Sequence, residues 1–124
     1  MSTDPRPDVA VGHIRLNVND VAAEFSFFVS HGMREILNRD NFAILELRGG
    51  THLILEKSER QVETGLRTPF DLMVDDIDAA HTKYVDDGLS TSPIERGNIH
   101  DSFTVTTPTG YLIPVNSSHV AGPV

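Results

Sequence analysis

The sequence predicts an α+β fold in which one βαβββ unit occurs twice. Three observations support this prediction: a repeat at a fixed offset, alternating apolar residues at the start of each copy, and a capped amphipathic segment after them. The segment Val18–Val21 (VNDV) resembles Val74–Ile77 (VDDI), which lies 56 positions later. The same offset aligns further pairs without a gap: Leu16 with Leu72, Ala23 with Ala79, Phe28 with Tyr84, Val29 with Val85 and Gly32 with Gly88.

Each copy begins with a strand that leads into a helix. The first strand places apolar residues on one face, by strand alternation: Ile14, Leu16 and Val18. Its other face carries polar residues: His13, Arg15 and Asn17. In the second copy the inward residues are Phe70, Leu72 and Val74. Asp20 caps a helix predicted near Val21–His31, and Asp76 caps one near Ile77–Asp87. The apolar stripes of these helices are Val21, Phe25, Phe28 and Val29, and then Ile77, Ala80, Tyr84 and Val85. Each helix stops at a glycine suited to the left-handed conformation: Gly32 and Gly88.

Further strands follow each helix. In the first copy they are predicted at 42–47 and 51–56, around a turn at 48–50, with a short strand near 35–38. In the second copy they are predicted at 102–106 and 111–116, around a turn at 108–110, with a short strand near 92–95. We therefore expect a single domain over 1–124, with unit one at about 9–57, a linker at about 58–67 and unit two at about 68–118.

Composition disfavours some classes of binding partner and excludes cysteine chemistry. The 18 acidic and 10 basic residues give a formal charge of -8, which disfavours nucleic acid and anionic membranes but is compatible with a cationic or neutral small ligand. The chain has no cysteine, so disulfide and thiolate chemistry are excluded. Residues 1–8 have neither a signal-peptide nor a transit-peptide pattern, and we interpret them as a loose arm of a cytoplasmic protein.

Two motifs at opposite ends of the repeat resemble a known superfamily. The segment Gly12–Asp20 (GHIRLNVND), followed by Phe27-Phe28 and Gly32, is similar to the opening of the vicinal oxygen chelate superfamily of glyoxalases, bleomycin resistance proteins and extradiol dioxygenases. The segment Thr107–Ile113 (TPTGYLI) resembles that superfamily's aspartate-proline-aspartate-glycine hairpin. The resemblance implies a curled, incompletely closed mixed sheet with helices outside and a ligand site on the concave face.

The resemblance also implies four metal-ligand positions, on the first and last strands of each unit. His13 matches the first position, but Ile54, Pro69 and Pro114 occupy the other three and offer no donor side chain. We therefore expect neither a metal nor another cofactor. An alignment shift of two residues would bring His52 or Glu56 to a ligand position and allow a partial site with His13. Pro114 removes a backbone donor, so we expect an edge or a bulge beside the last strand.

The predicted concave face supplies the candidate ligand-binding residues. They are His13, Arg15, Asn17, His52, Glu56, Asp71, Met73 and Asn116, with Leu112 as a further apolar wall. Two plainer alternatives stay open: His13 bonds only to backbone, or Arg15 and Asp71 pair with each other or with solvent. The other histidines receive no role: His31 and His81 are expected on helix surfaces, His100 in an exposed loop and His119 in the tail.

The favoured function is metal-free binding of a small molecule in the concave face of a homodimer. Such a protein would resemble the bleomycin-resistance branch of the superfamily. The chain has no tryptophan, so Phe and Tyr would have to stack on a flat ligand. An alternative is a metal-dependent lyase, isomerase or dioxygenase with a non-standard ligand set. A third is a domain that binds no ligand and serves a partner protein.

Overall fold

The computed structural model describes residues 3–124. The elements in chain order are β1 (His13–Val18), α1 (Val21–Ser30), β2 (Arg34–Asn38), β3 (Phe42–Glu46), a 3-10 turn (Arg48–Gly50), β4 (His52–Lys57), β5 (Leu72–Val74), α2 (Ile77–Asp86), β6 (Ser102–Thr106) and β7 (Leu112–Ser117). Over residues 3–124, neither helix combines the length and the apolar character that crossing a bilayer requires.

The strands form two mixed sheets with matching topology. The first has the order β1-β4-β3-β2, and β1 runs parallel to β4 while the other pairs are antiparallel. The second has the order β5-β7-β6, with β5 parallel to β7 and β6 antiparallel to it. Neither sheet closes into a barrel. The shared strand order confirms the α+β class and the predicted repeat.

The two helices begin where the sequence predicts and end one residue earlier than predicted. The carboxylates of Asp20 and Asp76 each accept a hydrogen bond at 3.0 Å from a backbone N–H three residues later. Gly32 and Gly88 have φ angles of +108° and +79°, which favour glycine because it has no Cβ. Each helix is one residue shorter than predicted, because the residues at 31 and 87 are the caps.

The core lies under the inward faces that alternation predicts. Its fully buried members include Val18, Phe28, Leu45, Leu53 and Leu55. Each such side chain contributes about 1.5–3 kcal/mol through removal of apolar surface from water. The predicted stripe of α2 is wrong at Val85, which is 48% exposed.

Helix α1 joins the two units through groups that the sequence did not reveal. Its Glu24 is fully buried, and one carboxylate oxygen accepts hydrogen bonds from Thr107 Oγ1 at 3.0 Å and from the backbone N–H of Thr109. Burial raises the pKa of Glu24, although the hydrogen bonds from the two threonines partly oppose this. The hydroxyl of Tyr111 also donates to the carbonyl of Asn17 at 2.7 Å, so the hairpin of unit two contacts the first strand of unit one.

Three histidines depart from the expected surface positions. His31 is mostly buried, stacks on Tyr84 with 4.4 Å between ring centroids, and places Nε2 2.9 Å from a carboxylate oxygen of Asp87. His81 is half-buried and bonds through Nε2 to the carbonyl of Ser92 at 2.8 Å. His100 is half-buried rather than exposed. Packing between elements decides these positions, which helical or loop location alone does not reveal.

The short strand predicted near 92–95 is wrong. Only two isolated bridges occur there, Thr91 with Val105 and Glu95 with Ser102. The register shifts by one residue between the two bridges, since this segment advances four residues while β6 retreats three, so no continuous ladder forms. The corresponding strand of unit one also has one register shift but pairs regularly enough to form β2.

Pro114 faces a bulge, as one of the two alternatives predicts. β7 is a central strand, so the edge-strand alternative is wrong. On its β5 side, Arg67 pairs with Leu112 and Leu72 pairs with Val115. Between these two pairs, the segment that leads into β5 advances five residues, whereas β7 advances three. Two extra residues therefore lie opposite Pro114. The bulge removes the need for the missing N–H.

Candidate functional site

The face of the first sheet that points away from the core carries most of the predicted site. We call it the open face and define it by alternate residues of three strands: His13, Arg15 and Asn17 on β1, His52, Ile54 and Glu56 on β4, and Phe42, Ile44 and Glu46 on β3. The strand register aligns these residues in three rows across the sheet. Parallel pairing of β1 with β4 therefore brings together residues that are about 40 positions apart in the sequence.

The first row consists of His13, His52 and Glu46. The rings of His13 and His52 lie 5.9 Å apart between centroids, with 37° between their planes. His52 Nε2 is 3.3 Å from one carboxylate oxygen of Glu46, and Arg34 Nη1 donates to the other oxygen at 2.8 Å. The ring of His13 has no hydrogen bond to any residue in 3–124, so the alternative that its ring bonds only to backbone is wrong.

The second and third rows form a groove of about 470 Å³. Its lining consists of Arg15, Asn41, Phe42, Ile44, Ile54, Glu56 and Lys57. Arg15 Nη1 donates to a carboxylate oxygen of Glu56 at 2.6 Å, and both side chains are about half exposed. The alternative pairing of Arg15 with Asp71 is therefore wrong. The groove combines an apolar floor with an ion pair at its side.

The other three predicted residues lie on or beside the second sheet: Met73 on β5, Asn116 on β7 and Asp71 directly before β5. Asn116 is mostly buried and donates from Nδ2 to a carboxylate oxygen of Asp71 at 3.0 Å. Met73 pairs with Asn116 in the strand register, and its side chain is 40% exposed. Across residues 3–124, no hydrogen bond, ion pair or ring contact joins these three residues to the predicted residues of the open face. The candidates therefore form two groups, five residues on the first sheet and three on or beside the second.

The open face does not fit the metal of the superfamily's metal-dependent members. Ile54 lies in the groove lining, Pro69 is exposed in a bend and Pro114 lies inside β7. In the part of the chain that the structure describes, no three His, Asp or Glu side chains are arranged to hold a metal ion. Two imidazoles on neighbouring strands provide fewer donors than the three or four that a stable site needs.

Sequence reasoning missed four residues of this surface. They are Arg34, Phe42, Ile44 and Glu46. The sequence contains a signal for three of them, since 42, 44 and 46 alternate along a predicted strand. Alternation shows that these three residues share one face of the strand. It does not show which side of the sheet they lie on, because that depends on how β3 pairs with β4. Arg34 lies one residue before the predicted β2.

Structural comparison places this arrangement in a known fold, whereas no family model and no curated protein matches the sequence. A lactoylglutathione lyase from Agrobacterium tumefaciens superposes with a TM-score of 0.74 and 17% identity, over 95% of this chain and 100% of its own. A bleomycin-binding protein from Streptomyces verticillus, solved with copper(II)-bleomycin, has a TM-score of 0.70 and 22% identity over 91% of this chain and 99% of its own. An antibiotic-binding protein from a Streptomyces species has a TM-score of 0.75 and 18% identity over 90% and 98%. The chain has the vicinal oxygen chelate fold.

Proposed function

We propose that this chain is a metal-free small-molecule-binding protein that resembles the bleomycin-resistance branch of the fold and holds its ligand on the open face. One observation supports this above all others: the groove has a floor of Ile44 and Ile54, with Phe42 partly exposed at its edge. An apolar floor with a few polar groups at its margin is the usual composition of a small-ligand site. The fold is shared with proteins that bind bleomycin or another antibiotic, which is compatible with this role.

The charges on the open face favour a neutral ligand. Arg15 is paired with Glu56, and Arg34 with Glu46, so these four charges cancel locally, and Lys57 adds one positive charge to the lining. The net charge of -8 belongs to the whole chain and does not describe this surface. The planar apolar part of a ligand can lie on Ile44 and Ile54 and stack on Phe42. Its polar edge can then reach the polar side chains of the open face.

Exposed apolar side chains on both sheets support the proposal of a homodimer. Phe42 and Met73 are each 40% exposed and Ile36 is 47% exposed. Exposed apolar side chains and uncovered sheet faces are common where a second chain packs. Light scattering at micromolar concentration should give about twice the chain mass of 13.6 kDa. A mass equal to that of one chain would contradict the dimer.

A metal-dependent lyase, isomerase or dioxygenase is the second candidate. The observation in its favour is the closeness of the His13 and His52 rings, 5.9 Å between centroids. The fold is also shared with a lactoylglutathione lyase. Such an enzyme would need a further donor beyond these two imidazoles, so metal analysis of the purified protein separates the candidates.

Binding can be tested by NMR titration of isotope-labelled protein with two probes, neutral 2-naphthol and metal-free bleomycin. Saturable shifts should map to Phe42, Ile44 and Ile54. Phe42→Ser should weaken binding about tenfold or more, because it removes the aromatic edge and part of the apolar surface. Val85→Ser, a control at an exposed position of α2, should leave affinity unchanged. Saturable shifts elsewhere, or none with either probe, would contradict the proposal.

A further inference from the structure

The hydrogen bonds of Glu46 determine which nitrogen of His52 carries a proton. Glu46 accepts from Arg34 Nη1 through one oxygen, and its other oxygen faces His52 Nε2. A carboxylate paired with a guanidinium is ionised and can only accept, so Nε2 must carry the hydrogen. In the neutral ring of His52, Nδ1 then has a free lone pair.

That lone pair is available at the surface. His52 Nδ1 has no hydrogen-bond partner within residues 3–124, and the side chain is 33% exposed. Both nitrogens of His13 are also without a partner there. The two rings lie in the row next to the Ile44–Ile54 floor, because Ile54 follows His52 by two positions on the same face of β4.

We propose that His52, positioned by Glu46 and Arg34, is an acceptor subsite that takes an O–H or N–H group of a neutral planar ligand whose body lies in the groove. This inference rests on the proposed function and adds the ligand's chemistry. His13, whose ring can donate or accept, flanks the same polar edge of the ligand. A phenol, an enol or an amide N–H fits this subsite.

The same geometry disfavours anionic ligands at this end of the groove. A carboxylate placed against His52 would meet the lone pair of Nδ1 with no hydrogen between them. The negative charge of Glu46 lies on the other side of the ring, 3.3 Å from Nε2. A bound ligand that offers no donor would cover this acceptor and leave it unpaired, which weakens its binding.

The first test measures the positioning role without any ligand. Long-range ¹⁵N NMR, recorded at a pH at which the spectrum itself shows the His52 ring to be neutral, reports which ring nitrogen carries the proton. His52 should show a single form with the hydrogen on Nε2, and Glu46→Ala should convert it to a mixture of tautomers. Glu35→Ala, which removes a neighbouring exposed carboxylate, should change nothing. A mixture or an Nδ1–H form in the unaltered protein would overturn the proposal, as would a tautomer that Glu46→Ala leaves unchanged.

The second test compares two probes of the same shape. 2-Naphthol has an O–H donor and 2-methoxynaphthalene does not, so 2-naphthol should bind about fivefold to tenfold more tightly. His52→Leu should abolish this difference, and His119→Leu should preserve it. Equal affinities in the unaltered protein would overturn the acceptor subsite but leave the groove as a binding site. Failure of both probes to bind the open face would overturn the proposed function and the subsite together.

Discussion

The two units share a sequence pattern but differ in how their helices are packed. Both helices have an Asp cap and a positive-φ glycine after the last turn, at the same offset of 56. Helix α1 buries five side chains: Val21, Glu24, Phe25, Phe27 and Phe28. Helix α2 buries only two, Ile77 and Tyr84. The repeat therefore specifies the local structure of both helices, while contacts with the other unit decide how much of each becomes core.

The sheets differ in a way that bears on the candidate site. In unit one, β1 and β4 pair without interruption over six residues, which aligns the rows of the open face. In unit two, β5 and β7 pair over three residues, and the ladder is interrupted opposite Pro114. Beside β6, the segment at 91–95 forms only two isolated bridges, with a register shift between them. The groove proposed as the ligand site lies on the unit whose strands are regular.

The test of this comparison with the largest expected effect is truncation of two core aromatic residues at equivalent positions of the repeat, Phe28 and Tyr84. Phe28→Ala should lower the free energy of unfolding by about 3–5 kcal/mol, because Phe28 is fully buried and its removal leaves a cavity. Tyr84→Ala, the equivalent change in unit two, should also cost several kcal/mol because Tyr84 packs on His31 and Phe103. Urea denaturation measures both.

Val85→Ala is the control, with an expected change below about 0.5 kcal/mol for an exposed side chain. A loss at Val85 as large as that at Phe28 would show that α2 is packed as deeply as α1. The difference between the two units described above would then be wrong.

Sequence alone was sufficient for the elements that local chemistry determines. Asp20 and Asp76 identify the helix starts, and alternation identifies β1 with its observed bounds of His13–Val18. It was insufficient where two distant segments decide the outcome. The strand near 92–95 does not form because its register with β6 shifts between the two bridges, and Val85 is exposed although it belongs to the predicted apolar stripe.

The site was predicted in part, for a related reason. Alternation placed His13, Arg15 and Asn17 on one face, and the structure agrees. It could not show that Arg15 pairs with Glu56, since that contact depends on the register of two strands 41 positions apart. Nor could it show that Asp71 lies beside a different sheet from that of His13.

The second test concerns Glu24, for which unit two has Ala80 at the equivalent position. Glu24→Ala should cost about 1–3 kcal/mol, because the hydroxyl of Thr107 and the N–H of Thr109 lose their buried acceptor. Glu24→Gln keeps an acceptor in place and should lose little. Thermal or urea denaturation at neutral pH measures both variants.

The pH dependence gives a sharper form of the same test. Burial raises the pKa of Glu24 in the folded protein above its unfolded value, so its contribution to stability is present at low pH and is lost as pH rises through the folded pKa. Stability should therefore fall as pH rises above 4.5, the ordinary pKa of a glutamate side chain, and through the folded pKa, and Glu24→Gln should flatten this fall. The pKa values of Asp78 and Asp87 are lowered by ionic partners, so their contributions are lost only at more acidic pH. An unchanged slope in Glu24→Gln would contradict the assignment.

A smaller effect is expected at the helix caps, where the two units should behave alike. Asp20→Ala and Asp76→Ala should each cost about 1 kcal/mol, because each removes a side-chain acceptor at 3.0 Å from an N–H in the first helical turn. Glu59→Ala, at an exposed position before unit two, is the control. Losses that differ by more than about twofold would show that the caps depend on their surroundings and not only on the repeated local motif.

The smallest expected effect is that of removing metal. Zinc needs several donors at about 2.0–2.2 Å, and unit two offers Pro69 and Pro114 where the superfamily's metal-dependent members have ligands. His13 and His52, both in unit one, are too few. Dialysis against EDTA should therefore leave the melting temperature unchanged, and elemental analysis should find no stoichiometric divalent ion. One zinc, manganese, nickel or iron per chain would overturn the metal-free proposal. Its loss in His13→Ala, with His52→Ala as the second variant, would then show that unit one binds the metal through the first row of the open face.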